Sequence, residues 1–231
     1  MRTLFPWFDV QDAEALDFAS RRARMVEEQI RARGVTDPEV LRAMRLVPRH
    51  AFVPGALVPH AYEDRPLAIG HGQTISQPYI VAYMTKHLAL TNRSRVLEVG
   101  TGCGYQTAVL ATLAREVFSI EIVPPLAEAA RERLERLGHR NVHLRTGDGA
   151  RGWPEEAPFD AIIVACSAPE IPRALKDQLA PQGRLICPVG TRSAEGQDLI
   201  VAAKDREGRI VEWSLIPVRF VPLTGPSGHA S

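Results

Sequence analysis

The chain has 231 residues, 45% hydrophobic and 24% charged, and its 28 basic and 27 acidic side chains leave a net charge of +1. That is ordinary for a globular protein and offers no basic tail or block for a nucleic-acid partner. Cys103, Cys166 and Cys187 are odd in number and lack metal-ligand spacing, which points to a reducing compartment; no apolar run approaches the roughly 18 residues of a membrane span, and the N-terminus lacks a signal-peptide layout, so a cytoplasmic location with no membrane partner is expected.

Residues 1–10 read as irregular, with Pro6 among aromatics. A helix is predicted over Asp12–Arg33, where Glu27 can pair with Arg31 one turn on and Gly34 supplies the stop. Thr36-Asp37-Pro38 opens a second helix with a cap and a first-turn proline, running to Val47-Pro48. Residues 48–66, rich in Pro, His and aromatics, are expected to wrap the surface, and residues 68–77 (AIGHGQTISQ) to form a glycine-punctuated loop. Pro78 starts a helix that continues over Tyr79–Leu90. From Arg95 the pattern alternates: strand, helix 105–114, strand 116–121, helix 124–137, strand 142–147, strand 159–165, helix 172–179, strand 184–189. Hydrophobic strands separated by short helices imply parallel strands joined by crossovers, and the run Ala161–Val164 fits a strand buried on both faces. Leu199–Lys204 and Ile210–Val218 read as antiparallel strands about the turn Arg206-Glu207-Gly208, and the tail after Thr224 as loose. The expected fold is α/β, a doubly wound, mostly parallel sheet with helices on both faces, antiparallel C-terminal strands and an N-terminal helical addition. One domain over 1–231 is expected, with the addition at 1–90, a cofactor-binding core at 91–190 and C-terminal strands at 191–225.

The stretch VLEVGTGCGYQTAVLA (96–111) carries the most chemistry. A β-branched run ends in acidic Glu98 and enters Gly100, Gly102 and Gly104, followed at once by a helix. Strand, glycine turn and helix let backbone amides approach a nucleotide-like ligand. The spacing is GxGxG, with Tyr105 where the dinucleotide pattern GxGxxG has its last glycine. It suits an adenosyl ligand with an amino-acid tail, S-adenosylmethionine, better than a dinucleotide. Glu121 closes the next strand, placed to accept from both ribose hydroxyls. Asp148 closes the third inside Gly147-Asp148-Gly149, placed to accept from an adenine amino group. Each carboxylate alone could instead be a helix cap; three acidic strand ends in series favour the ligand.

Five segments resemble one family: RRARMVEEQIRARG (21–34), YEDRPLAIGHGQTISQPYIVA (62–82), VLEVGTGCGYQTAVLA (96–111), FDAIIVACSAPEIPRALKDQLAPQGRLICPVG (159–190) and VRFVPLTG (218–225). The chain resembles the protein-L-isoaspartate O-methyltransferases, within the Rossmann-like methyltransferases. The resemblance implies methyl transfer from S-adenosylmethionine to the free carboxylate of L-isoaspartyl residues in aged proteins and peptides, leaving S-adenosyl-L-homocysteine. The ester then closes off the enzyme to a succinimide that partly reopens to aspartate. It also implies Ser76 as the active-site residue, Thr74, Ile75 and Ser76 along the pocket, Glu121 with Ile122 and Gly147 with Asp148 around the adenosine, and Thr224 near the cofactor; with these go the loop residues Glu98, Gly100, Gly102, Cys103 and Gly104. Two departures stand out: Cys103 replaces the family's usual serine, and Ala165-Cys166-Ser167-Ala168 replaces a Thr-Ala-Ala-Ala run. Tyr79 and Val81 stand where some relatives have histidine, so no histidine contact is carried over.

A carboxylate acceptor has a reference pKa near 4 and is ionised at neutral pH. It needs alignment and exclusion of water, not a general base. Ser76 in GQTISQP supplies a hydroxyl beside a helix start, either to orient that carboxylate or as a plain helix cap. His50, His60, His71 and Trp153 are read as structural, Cys103 as a pocket-loop residue that is not a nucleophile, and Arg219 as either a surface residue or a neighbour of an anionic substrate. The segment Ala165–Glu170 lacks the Asn/Asp-Pro-Pro-aromatic motif of many amine methyltransferases. Another small carboxylate acceptor, a nicotinamide oxidoreductase and an inactive cofactor-binding regulator are the alternatives. Balanced charge without a heptad seam makes a monomer the expectation.

Overall fold

The computed structural model describes residues 10–190 and 196–225, with side chains from Asp17 onward. The expectations of an irregular segment before Val10 and of a loose tail beyond Gly225 lie outside the described residues.

A seven-stranded sheet runs through the molecule in the order β5-β4-β3-β6-β7-β8-β9. Its strands are β3 (Arg95–Val99), β4 (Glu116–Glu121), β5 (Val142–Thr146), β6 (Phe159–Val164), β7 (Leu179–Gly190), β8 (Gln197–Lys204) and β9 (Ile210–Val218). The first five pair in parallel, and β8 and β9 close the far edge in antiparallel fashion. Side-chain alternation explains why the central strands read as continuous apolar runs. Val96, Ile163 and Ile186 face one layer, packing with Met84 of α3 (Pro78–His87), with Leu88 just past its end and with Leu110 of α4 (Tyr105–Leu113). Leu97, Ile162 and Leu185 face the other, with Leu175 of α6 (Arg173–Asp177). Each central strand is therefore covered on both sides. The chain runs outward from β3 through β4 and α5 (Pro124–Arg136) to β5, then crosses back to β6. That reversal lies at β3 and β6, and open α/β sheets bind ligands at the carboxyl ends beside such a point.

Several boundaries differ from the sequence expectations. The N-terminal helix is α1 (Val10–Arg24), which widens into a π-helical turn at Met25–Ile30 and tightens to a 3-10 turn at Arg31–Arg33 before Gly34 at φ 89°. The wide turn lets Met25, Val26 and Ile30 all reach the core, a spacing that a regular helix turns away from one face. Glu27 pairs with Arg31 at 3.0 Å and also with Arg45 of α2 (Pro38–Leu46). Asp37 caps α2 through its carboxylate, accepting from the Glu39 and Val40 amides at 3.0 Å each. The stretch expected as a loop at 68–77 is a hairpin of β1 (Leu67–Gly70) and β2 (Gln73–Ile75), with Leu67 opposite Ile75. Its turn is Gly70-His71-Gly72, all three at positive φ, so the glycines that suggested a loop close a ribbon. β7 starts at Leu179, five residues before the expected strand, and shortens the preceding helix to Arg173–Asp177.

Candidate active site

One cleft opens above the carboxyl ends of β3, β4 and β6, and a second adjoins it at Ala165, just past β6. The first encloses about 770 Å³ with its open mouth included, and its floor is the glycine loop after β3. Gly100, Gly102 and Gly104 hold φ of 93°, 54° and 89°, the left-handed region that costs glycine least. Gly100 and Gly102 line the cleft. Gly104 does not; it is the N-cap of α4, and a Cβ there would stand 3.3 Å from Leu134 of α5, so this glycine serves close helix packing.

The three acidic strand ends take different places. Glu121, the last residue of β4, lines the cleft and is 6% exposed. Its Oε2 accepts from the Gly102 amide at 2.7 Å and its Oε1 from the Val123 amide at 3.0 Å. Each oxygen keeps acceptor capacity for a further donor. Asp148 caps the turn at Gly149–Arg151, its Oδ1 accepting from the Ala150 amide at 3.0 Å. It does not line the cleft, nor does Gly147, but it borders one end of it. A Cβ on Gly225 would meet Ile122 Cδ1 at 2.9 Å and Asp148 Oδ1 at 3.0 Å, so Ile122, Asp148 and Gly225 converge there. Glu98 lies beneath the loop and outside the lining, with no solvent exposure. Its Oε2 accepts from the Ser119 hydroxyl at 2.6 Å and from the Thr107 hydroxyl, and Ser119 in turn shares a 2.6 Å bond with Thr101 inside the loop. Burial pushes the Glu98 carboxyl up to about 7; the two hydroxyl bonds oppose that shift and the Glu121 charge adds to it.

The β1–β2 hairpin supplies another wall through Thr74, Ile75 and Ser76, and the segment after β9 closes the top with Val221, Leu223 and Thr224. Ser76 is half-buried and does not cap α3: Gln77 is the N-cap residue, and no side chain bonds the first turn. The second cleft starts at the same hairpin and runs along Pro217–Phe220. Thr74, Ser76, Ala165 and Val221 line both clefts, so the two share one wall. Arg219 lines the second cleft, exposed, and is the one formal charge among its lining residues. Sequence reasoning did not single out Ala165, Cys166 or Val221–Leu223 as walls; the signal was their place in two of the family segments.

Cys103 lines the first cleft, but burial pushes its thiol up, against the weaker pull of Arg49 and Arg133. Burial likewise raises Cys166, and raises Cys187 to about 12. All three are free, buried thiols without the thiolate character of a nucleophile. Among the described residues no group of three or more His, Cys, Asp or Glu side chains could hold a metal ion, and no helix is long and apolar enough to cross a membrane.

The model of the family described as protein-L-isoaspartate(D-aspartate) O-methyltransferase matches residues 20–228, a span holding both clefts. The chain belongs to this family. A protein-L-isoaspartate O-methyltransferase of Picosynechococcus is 56% identical over 206 residues, covering 89% of this chain and 91% of that protein. Protein-L-isoaspartate O-methyltransferase 1 of Anaeromyxobacter is 59% identical over 201 residues, covering 86% and 94%. Among solved structures, a candidate protein-L-isoaspartate O-methyltransferase from Plasmodium falciparum, crystallised with S-adenosyl-L-homocysteine, superposes with a TM-score of 0.76 at 30% identity, covering 88% of this chain and 98% of that one. Membership thus extends over the N-terminal helices and the C-terminal segment as well as the sheet.

Proposed function

We propose that the chain is an S-adenosylmethionine-dependent methyltransferase acting on the free carboxylate of L-isoaspartyl residues in damaged proteins and peptides, as a cytoplasmic monomer. The observation that carries this reading is the wall shared by the two clefts, with the Ser76 hydroxyl in it. The first cleft fits the donor. Glu121 has spare acceptor capacity for the ribose hydroxyls, Ile122 offers an apolar face to the base, Asp148 an acceptor near its amino group, and Gly100 and Gly102 leave room for the amino-acid tail. When bound, that donor supplies a methyl carbon activated by a positively charged sulfur.

The protein's own task is then positional. The second cleft receives the isoaspartyl segment, and the Ser76 hydroxyl donates to the acceptor carboxylate, holding one oxygen toward the first cleft. The carboxylate is already ionised, so no base is needed. Arg219, the lone charge along this cleft, attracts the anion. The hairpin and the C-terminal segment keep water from the shared wall. The methyl ester leaves the enzyme, the following backbone nitrogen attacks its carbonyl, methanol departs, and the succinimide opens in part to normal aspartate.

Labelled S-adenosylmethionine with paired peptides that differ only in Asp or isoAsp tests the activity. Base-labile label on the isoAsp peptide alone is the expected result; equal labelling of both would point to a broader carboxyl methyltransferase, and no transfer would remove the proposal. Ser76→Ala is expected to lower kcat/KM for the isoAsp peptide by about 10- to 100-fold, the scale of one lost hydrogen bond to a charged group. The affinity for S-adenosylhomocysteine, read by calorimetry, should stay within about twofold, because ribose and base are held elsewhere. Unchanged turnover would take Ser76 out of the acceptor site.

A further inference from the structure

The segment after β9 leaves the sheet, yet it walls both clefts: Phe220 lines the second, Leu223 and Thr224 the first, and Val221 both. Its backbone is tied to the loop after β6 at Ser167, whose hydroxyl donates to the Val221 carbonyl at 3.4 Å. The Ser167 amide donates to the Val221 carbonyl at 2.8 Å, and the Leu223 amide donates to the Ser167 carbonyl at 2.7 Å. A further hold comes from the side chain of Gln197. Gln197, 5% exposed, accepts from the Phe220 amide through Oε1 at 2.7 Å. Its Nε2 donates to the Phe220 carbonyl at 3.3 Å and to the Ser167 hydroxyl at 2.9 Å.

The register explains why the grip falls on this residue. Gln197 is the first residue of β8, opposite Gly190 on β7 and Val218 on β9, so it stands on the last rung of the sheet. Beyond Val218 the backbone turns away. A primary amide can present a donor and an acceptor to a peptide group, as another peptide would. The Gln197 side chain therefore extends the ladder by one step past its end and binds Phe220 on both polar groups. The same Nε2 reaches Ser167, a serine within the Ala165-Cys166-Ser167-Ala168 run that departs from the family's usual pattern.

We propose that Gln197 is a positioning residue that sets the C-terminal segment over the donor and acceptor clefts and thereby fixes their common wall. It touches neither ligand and acts through Val221, Leu223 and Thr224. The inference rests on reading the two clefts as donor and acceptor sites, so its test needs one readout independent of that reading.

Amide hydrogen exchange is that readout, measured on the full chain for wild type, Gln197→Ala and Gln197→Glu. The glutamate keeps the volume and the acceptor for the Phe220 amide, but its carboxylate cannot donate to the Phe220 carbonyl, and it serves as the folded variant should the alanine variant fail to fold. Exchange at Phe220 and Leu223 should accelerate at least about tenfold while β3 and β6 stay protected, as for a local opening. The Kd for S-adenosylhomocysteine should rise about tenfold, and kcat at saturating donor and peptide should fall about tenfold or more, a loss that a weakened KM does not produce. A folded alanine variant with unaltered exchange at Phe220, or a glutamate variant with unaltered exchange at both Phe220 and Leu223, overturns the proposal. So does faster exchange with unchanged Kd and kcat, which would make the clamp merely structural. Wild type that fails to bind S-adenosylhomocysteine would overturn the donor-cleft reading instead, with the exchange result left to decide whether Gln197 clamps the segment.

Discussion

Glu121→Ala is expected to raise the Kd for S-adenosylhomocysteine by about 100-fold or more, close to 3 kcal/mol. Two losses combine. The variant removes the acceptor for the ribose hydroxyls, and it leaves the Gly102 and Val123 amides, now bonded at 2.7 and 3.0 Å, without their carboxylate. An unsatisfied amide costs about 1–3 kcal/mol when fully buried and less at these two half-buried positions, so the glycine loop should loosen somewhat even before ligand arrives. Glu121→Gln keeps one acceptor oxygen and turns the other position into a donor facing an amide; it should fall between wild type and alanine. Isothermal calorimetry with parallel denaturant unfolding separates the two contributions. A variant that loses stability but binds the ligand as tightly as wild type would reduce Glu121 to a loop anchor.

Glu98 should make the protein less stable as the pH rises. Its side chain is fully buried, Oε1 has no hydrogen-bond partner among the described residues, and burial holds its carboxyl at about 7, above its ordinary value of 4.5. Between those values the folded state binds the proton more tightly than the unfolded state does, so stability falls as pH climbs through this window and levels off above about 7. The gap between 4.5 and about 7 is worth on the order of 3 kcal/mol, at about 1.36 kcal/mol per pH unit. A glutamine side chain cannot titrate, so Glu98→Gln should remove this component. Urea unfolding from about pH 4 to about pH 8.5 should therefore show the wild type losing on the order of 3 kcal/mol relative to Glu98→Gln. Parallel curves would mean that the carboxylate is stabilised by something other than the Ser119 and Thr107 hydroxyls.

The two glutamates show where local reading stops. Both end strands in the sequence, and both invite a ligand role. Yet Glu98 pairs in register with Ser119 and faces Thr107 of α4, whereas Glu121 is the last residue of its strand and turns to the loop amides. Strand side chains alternate, so one residue decides between core and cleft, and the sequence does not show where the strand yields to the loop. The hairpin of β1 and β2 is similar. Gly70-His71-Gly72 announces a turn, but pairing of Leu67 with Ile75 depends on what covers the ribbon. The π-turn at Met25–Ile30 is also beyond local reading, since the packing of its buried residues shapes it.

By itself the sequence determined the parallel α/β core, the glycine turn, the capped helices and the family, because each depends on residues adjacent in the chain or on segments that match a known pattern. Only the tertiary structure decided that Ser76 and Val221, far apart in the chain, line both clefts, and that Gln197 grips Phe220. Those contacts follow from strand order and register across the whole sheet, and long-range closure is encoded by the sum of packing terms rather than by any local signal.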